Sequence, residues 1–374
     1  MRKHFFILLG TRPEAIKLFP VINRLKTEKS KDISVTICAT AQHRHLLDQV
    51  LKLAKVVPDF DLNVMTTNQT LDHLTARLLG QVGELLEKLK PTRVIVQGDT
   101  ATAMTGALAS YYHRIPVSHI EAGLRSGDIY APWPEEVNRK IVGSIADQHF
   151  APTERAAQAL RSEHVSDDRI HVTGNTVVDA LILAKAMVES DPGLSCRWDG
   201  IKQRHGNRRI ILVTCHRREN FGGGVANIVN ALETILRRED VAVVLPVHPN
   251  PNVRDLFASR LSDHPRVVLI SPQEYTDFVS LLSLSYLVLT DSGGVQEEAP
   301  TFGKPVLVMR ETTERPEGVE AGTARLVGAN YDRIVAETFR LLDDDDTYAA
   351  MARSHNPFGD GHASERIVKV LLDA

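Results

Sequence analysis

Cysteine is scarce in this sequence, and what there is cannot pair locally. Cys38, Cys196 and Cys215 are far apart, and no C-x-x-C occurs. They read as reduced thiols in a cytoplasmic protein. No sign of charge dominates either: 44 basic residues face 47 acidic ones, a net of −3. That balance gives no reason to expect nucleic acid or a membrane surface as partner, so any charge that binds an anion must be local. No apolar run approaches the roughly 20 residues of a membrane-spanning helix. The opening Met1-Arg2-Lys3-His4 and the apolar residues 5–9 imitate a signal peptide, but the stretch is short and runs straight into Thr11-Arg12-Pro13-Glu14. Two nucleotide fingerprints are missing as well. No G-x-G-x-x-G follows the first strand, Gly222-Gly223-Gly224 falls in a loop, and no G-x-x-x-x-G-K-[ST] is present. Neither a bound dinucleotide nor ATP hydrolysis is signalled, and no cofactor is expected.

What is present is alternation. With 374 residues and 43% apolar content, the chain can fill two cores. Apolar runs read as strands at 5–9, 35–39, 94–97, 117–120, 148–151 and 170–172, and again at 210–214, 241–247, 267–270, 286–290, 306–309 and 324–327. Amphipathic stretches separate them. In residues 71–89, Leu71, Leu74, Leu78, Val82, Leu85 and Leu89 recur at helical spacing. Continuously apolar strands between helices predict parallel sheets covered on both faces, an α/β fold of two Rossmann-like domains. A polar, breaker-rich stretch spans 189–195, and the hinge is placed earlier, after Gly174-Asn175. The expected domains are 1–174, joined by a final helix within 358–374, and 175–357.

The most informative residues are Asp291-Ser292-Gly293-Gly294-Val295-Gln296-Glu297-Glu298, which follow an apolar strand and open a short helix. Two glycines at such a junction allow close backbone approach and leave helical N–H groups unpaired, a site suited to a diphosphate. A carboxylate at Glu298, one turn on, repels phosphate but accepts hydrogen bonds from ribose hydroxyls. The chain's opening matches this: a strand, then Gly10-Thr11-Arg12-Pro13-Glu14-Ala15-Ile16-Lys17. Pro13 fits a first helical turn, and Arg12 and Lys17 lie near that helix's N-terminus.

Further strings join these in order: Thr40-Ala41-Gln42-His43-Arg44, Gln97-Gly98-Asp99-Thr100, His119-Ile120-Glu121-Ala122-Gly123-Leu124-Arg125, Pro132-Trp133-Pro134-Glu135-Glu136-Val137-Asn138-Arg139, and Thr173-Gly174-Asn175-Thr176. Then come His216-Arg217-Arg218-Glu219-Asn220, Pro246-Val247-His248-Pro249-Asn250, Thr312-Thr313-Glu314-Arg315-Pro316-Glu317 and Asn356-Pro357-Phe358-Gly359-Asp360-Gly361. With them the chain resembles, essentially end to end, the non-hydrolysing UDP-N-acetylglucosamine 2-epimerases. The resemblance implies a glycosyltransferase-B-like architecture, its two domains facing across a ligand-binding cleft, with the last helix returning to the first domain. It implies reversible conversion of UDP-N-acetylglucosamine to UDP-N-acetylmannosamine, feeding bacterial surface polysaccharide synthesis, in a homodimer. The C2 hydrogen has no neighbouring carbonyl to acidify it. The family therefore eliminates UDP to give 2-acetamidoglucal and adds it back with a proton on the opposite face. Such a route needs carboxylates around the sugar and cations at the departing diphosphate.

By the same resemblance Asp99, Glu121 and Glu135 are the acid and base candidates, and His216 partners the leaving phosphate. Arg12, Lys17, Ser292, Gly293 and Gly294 hold the diphosphate, Glu298 the ribose, Gln273 and Phe278 the uracil, and Arg315 lies beside the nucleotide. Gln42, His43, Arg217 and His248 form a candidate site for a second, activating UDP-N-acetylglucosamine, although His45 and Asn68 depart from the expected glutamine and arginine. Plainer readings stand beside these. Asp99 before Thr100 reads as a helix N-cap. Glu121 reads as a partner for Arg125 one turn on. Either Glu135 or Glu136 points inward, with Arg139 as a salt-bridge partner for one of them. Phe278 has core spacing with Leu281 and Leu282. His43-Arg44-His45 resembles a metal pair, but a spacing of two puts the rings on different faces, so no metal is expected. Asp343–Asp346 reads as a solvated helix end. The alternative activities are a glycosyltransferase, a hydrolysing epimerase and a non-catalytic nucleotide-sugar sensor.

Overall fold

The computed structural model describes residues 2–28, 32–40, 44–66, 69–217 and 220–373; at 44–46, 195 and 252 it describes the backbone alone. The chain divides into two units, Met1–Ala180 with Gly359–Ala374, and Leu181–Phe358. Each is a parallel sheet with helices in the connections, as apolar strands alternating with amphipathic helices demand.

The first sheet comprises β1 (Lys3–Leu9), β2 (Ile33–Ala39), β3 (Phe60–Asp61), β4 (Arg93–Gln97), β5 (Val117–Ile120), β6 (Gln148–Ala151) and β7 (Ile170–Val172). Its seven strands run in the order β3-β2-β1-β4-β5-β6-β7. The second comprises β8 (Arg209–Thr214), β9 (Val241–Pro246), β10 (Val267–Ile270), β11 (Leu287–Thr290), β12 (Val306–Val308) and β13 (Ala324–Leu326). Its six strands run β10-β9-β8-β11-β12-β13. Every pairing between these strands is parallel. Phe5, Phe6, Ile7, Leu8 and Leu9 are all buried, which is why β1 reads as an unbroken apolar run rather than an alternating one.

The expected strands are all present, shifted by no more than two residues at an end. Among the strands of the described residues, only β3 escaped the sequence reading. Two residues on a sheet edge carry no periodicity. In the helix Leu71–Leu89 the buried stripe is Leu74, Leu78, Val82 and Leu86, so it continues in steps of four instead of passing through Leu85. Thr70 caps that helix by accepting the His73 N–H at 3.3 Å, and Lys90 ends it in a left-handed conformation.

One helix, Thr176–Ser190, begins just after Gly174-Asn175 and carries the chain out of the first unit. The last helix, Ala363–Asp373, belongs to the first unit again. Buried Asp179 anchors its start, accepting the Ala363 N–H at 3.2 Å, the Ser364 N–H at 2.8 Å and the Ser364 hydroxyl at 2.6 Å. Lys3 donates to the carbonyls of Leu371, at 3.4 Å, and Leu372 at its other end. Among the described residues, no helix is long and apolar enough to cross a membrane.

Candidate active site

In each sheet the strand order reverses beside a central strand, between β1 and β4 and between β8 and β11. At such a switch point the loops leaving the carboxyl ends diverge and open a crevice, the usual ligand position in a doubly wound sheet. Arg12, Asp99, His216 and Ser292 follow these strands directly, and Glu121 follows the neighbouring β5.

At the first switch point Thr11 caps the helix Arg12–Thr27, and Glu14 closes the capping box by accepting the Thr11 N–H at 2.7 Å. Glu14 also accepts the Gly10 N–H at 3.0 Å and the Thr100 hydroxyl at 2.6 Å. It therefore ties the loop after β1 to the loop after β4. Burial pushes its carboxyl up from the ordinary range, against the opposing effect of the bonds from Thr100 and Thr11. Gly10 is hemmed in: a Cβ there would lie 2.3 Å from the Thr102 hydroxyl and 2.4 Å from that of Thr40, which bond each other at 2.8 Å.

Glu121 follows β5 with φ +64°, a left-handed conformation that costs a non-glycine residue about 1–3 kcal/mol and persists where function or packing imposes it. Its buried carboxylate accepts the Lys17 ammonium at 2.5 and 2.6 Å and the Gln97 amide. The register pairing Gln97 with Ile120 is what brings that amide alongside. Lys17, expected at a diphosphate, here has its ammonium on Glu121. The alternative pairing with Arg125 does not form, because Arg125 grips Glu163 at 2.7 and 2.6 Å.

Asp99 is not the helix cap. Thr100 is, accepting the Ala103 N–H at 3.1 Å. The Asp99 carboxylate instead takes the Arg139 guanidinium, and Asn138 donates to the Asp99 carbonyl at 2.9 Å. Arg139 is held in turn by Glu136 at 3.1 Å. Glu136 is fully buried and also accepts the N–H groups of Ser126, at 3.1 Å, and Gly127, at 3.3 Å. Of the two adjacent glutamates, then, Glu136 is committed to structure. Glu135, half-buried at the start of the helix Glu135–Ile145, has no side-chain partner among the described residues. Arg12 is half-buried at the first position of its helix.

Behind this loop, His119 on β5 donates from Nε2 to the Gly98 carbonyl at 2.8 Å and lies opposite His149 on β6. Burial chiefly pulls His119 down to about 3 and His149 to about 4 from the ordinary 6.5. Both rings are neutral in the folded chain and take up protons on unfolding. Their stabilising contribution is complete above pH 6.5 and lost as pH falls toward those values. Urea midpoints of the first unit are expected to fall below pH 6.5, and His149→Phe to flatten that slope; an unchanged slope would show the rings are not the titrating groups.

At the second switch point His216 stands two residues beyond β8, and buried Asp291 stands directly after β11. The Asp291 carboxylate gathers the N–H groups of His216, at 3.1 and 2.9 Å, and Arg217, at 2.9 Å, with the Asn220 amide at 3.1 Å. His216 Nδ1 lies 3.2 Å from the same carboxylate. The His216 ring stacks on His248, with centroids 6.2 Å apart, and His248 Nδ1 accepts the Asn250 N–H at 3.2 Å. Ser292 precedes the short helix Gly293–Glu298 without capping it through its side chain. A Cβ on Gly293 would lie 3.6 Å from Arg217 Nη2, so Arg217, expected at an activator site, lies over the Ser-Gly-Gly turn. Glu298 is half-buried, its Oε1 3.8 Å from where a Gly294 Cβ would stand. Arg315 bonds buried Glu297 and, at 3.3 Å, the Glu314 carbonyl. Gln273 is half-buried just before the helix Tyr275–Leu284, and Phe278, on that helix, rests partly against the apolar core. Gln42 and His43 lie outside the described residues, as does Asn68; the side chain of His45 does too.

The sequence model describing UDP-N-acetylglucosamine 2-epimerase matches residues 25–372. The UDP-N-acetylglucosamine 2-epimerase of Escherichia coli (strain K12) is 50% identical over 369 residues, covering 97% of each chain. The chain belongs to the UDP-N-acetylglucosamine 2-epimerase family. Solved members share its fold. The Neisseria meningitidis UDP-GlcNAc 2-epimerase bound to UDP-GlcNAc matches with a TM-score of 0.89 at 45% identity, covering 99% of this chain and 100% of that one. The Methanocaldococcus jannaschii UDP-GlcNAc 2-epimerase in complex with UDP-GlcNAc and UDP matches with a TM-score of 0.83 at 34% identity, covering 99% and 100%. Membership of the non-hydrolysing epimerases makes this chain an isomerase of nucleotide sugars. It interconverts UDP-N-acetylglucosamine and UDP-N-acetylmannosamine by eliminating UDP and adding it back.

Gln97, Arg139, Asn138 and Asp291 belong to these networks although sequence reasoning gave them no role in binding or catalysis. All four lie inside the recognised strings, and the signal for Gln97 and Asp291 is their place at the carboxyl end of a strand beside a switch point.

Proposed function

We propose that Glu121, Asp99 and Glu135 supply the proton transfers at C2, while the loops after β8 and β11 hold the nucleotide. The observation that carries this is the conformation of Glu121: a left-handed, buried carboxylate at the carboxyl end of β5, one strand from the switch point, held against a lysine and an amide. Breaking the anomeric C–O bond leaves positive charge at C1, which acidifies the C2 hydrogen, and a fixed carboxylate then removes it. Asp99 and Glu135 are the partners for the other face. Arg12, Lys17, Ser292, Gly293 and Gly294 serve the diphosphate, Glu298 the ribose, and Gln273 and Phe278 the uracil. Arg217 joins the diphosphate group, since its guanidinium already lies over Gly293. Arg315 acts at one remove, through the Glu297 carboxylate it holds.

The finer architecture belongs to the same proposal: two Rossmann-like domains of the glycosyltransferase-B-like kind. So do a domain limit near residue 174, a homodimer and a cytoplasmic location.

The test is incubation with UDP-N-acetylglucosamine alone in heavy water, followed by proton NMR. Deuterium at C2 with a growing manno signal is the expected result. Free N-acetylmannosamine would mean hydrolysis, and an unchanged spectrum would send the search to a transferase with an acceptor.

A further inference from the structure

We propose that Asp291 is a positioning residue for His216, holding the imidazole with its Nδ1 proton on the carboxylate so that Nε2 faces the ligand. The inference rests on His216 acting at the leaving phosphate. A carboxylate can only accept, so the 3.2 Å approach of His216 Nδ1 puts a proton on that nitrogen. Nε2 is then the free end of a ring whose side chain is 40% exposed, while Asp291 is wholly buried. The ring cannot easily turn. Asp291 also binds the backbone N–H groups of His216 and Arg217, Asn220 braces the carboxylate, and His248 stacks on one face.

Asp291 is charged throughout the working range. Burial alone would raise its carboxyl, but the bonds from His216 and Arg217 hold it below the ordinary value. With Nδ1 committed to Asp291, Nε2 is the ring nitrogen left to meet a departing phosphate oxygen. Asn220 Nδ2 also reaches the Met309 carbonyl at 3.2 Å, fixing the brace itself.

A carboxylate that merely closed this loop would matter for folding but would not select a tautomer. The first test therefore needs no substitution. In protein labelled with ¹⁵N-histidine, the His216 signals, identified by their loss in His216→Gln, are expected to show a protonated Nδ1. A neutral ring protonated only on Nε2 overturns the proposal.

The second test is kinetic. An amide at position 291 can offer Nδ1 a donor instead of an acceptor, which reverses the tautomer. Asp291→Asn is expected to lower kcat about 100-fold, with KM changed by no more than about threefold. In a His216→Gln background the same substitution should add almost nothing, because the two residues act as one unit. Losses that multiply in the double variant, or normal turnover in Asp291→Asn beside a crippled His216→Gln, overturn the inference alone. Normal turnover in His216→Gln removes the reading on which it rests. Should Asp291→Asn fail to fold by circular dichroism, the wild-type tautomer decides.

Discussion

Glu121→Gln is expected to lower kcat about 1000-fold while leaving UDP affinity within about twofold, the loss typical of removing a positioned acid or base. Glutamine keeps the shape and can still accept from Lys17, but it cannot take a proton from carbon. The nucleotide loops after β8 and β11 contain none of the atoms changed. Turnover by NMR and UDP binding by calorimetry check both halves. Asp99→Asn should behave similarly, and it also leaves the Arg139 guanidinium facing a neutral amide. Near-normal turnover in both variants would remove the acid/base assignment.

The largest structural effect is expected at Gly123, two residues beyond Glu121. Its φ is +90°, and a Cβ there would lie 2.2 Å from the Ala156 carbonyl oxygen, a backbone atom of the helix Glu154–Ser162 that cannot swing aside. Alanine carries both the left-handed penalty and the overpacking, together about 3 kcal/mol. In a unit of this size that lowers the melting midpoint by about 10 °C. Gly98 supplies the control, with φ +69° and nothing within 4 Å of the added carbon. Gly98→Ala should cost only the backbone part, about 1 kcal/mol. Calorimetry on both variants separates the two contributions; equal shifts would show that the contact with Ala156 carries no cost.

Most of the scaffold was legible in the chain because strands buried on both faces are apolar throughout. Residues 5–9 and 241–245 announce themselves, and the strings between them name the loops that matter. Partnership was far less legible. Nothing in Glu135-Glu136 says which carboxylate turns inward, since adjacent helical residues differ by about 100° and only tertiary contact selects between them. The loop N–H groups of Ser126 and Gly127 make that selection. Lys17 and Glu121 lie 104 positions apart, and Arg315 reaches Glu297 across a loop. Such pairs follow from strand order, which the motifs do not encode. Asp291 was visible as the head of its string, yet its four donors come from a segment 71–75 residues earlier.

The closing helix Ala363–Asp373 has a consequence for how the protein is made. Residues 1–180 leave the ribosome well before the segment that seals them, with the whole of the second unit translated in between. Asp179 and Lys3 wait for Ser364 and Leu371 through the entire synthesis of the second unit. The first unit is sealed only after the second has been made, so a nascent chain stalled between residues 181 and 358 holds a second unit in progress and a first one still open along one side.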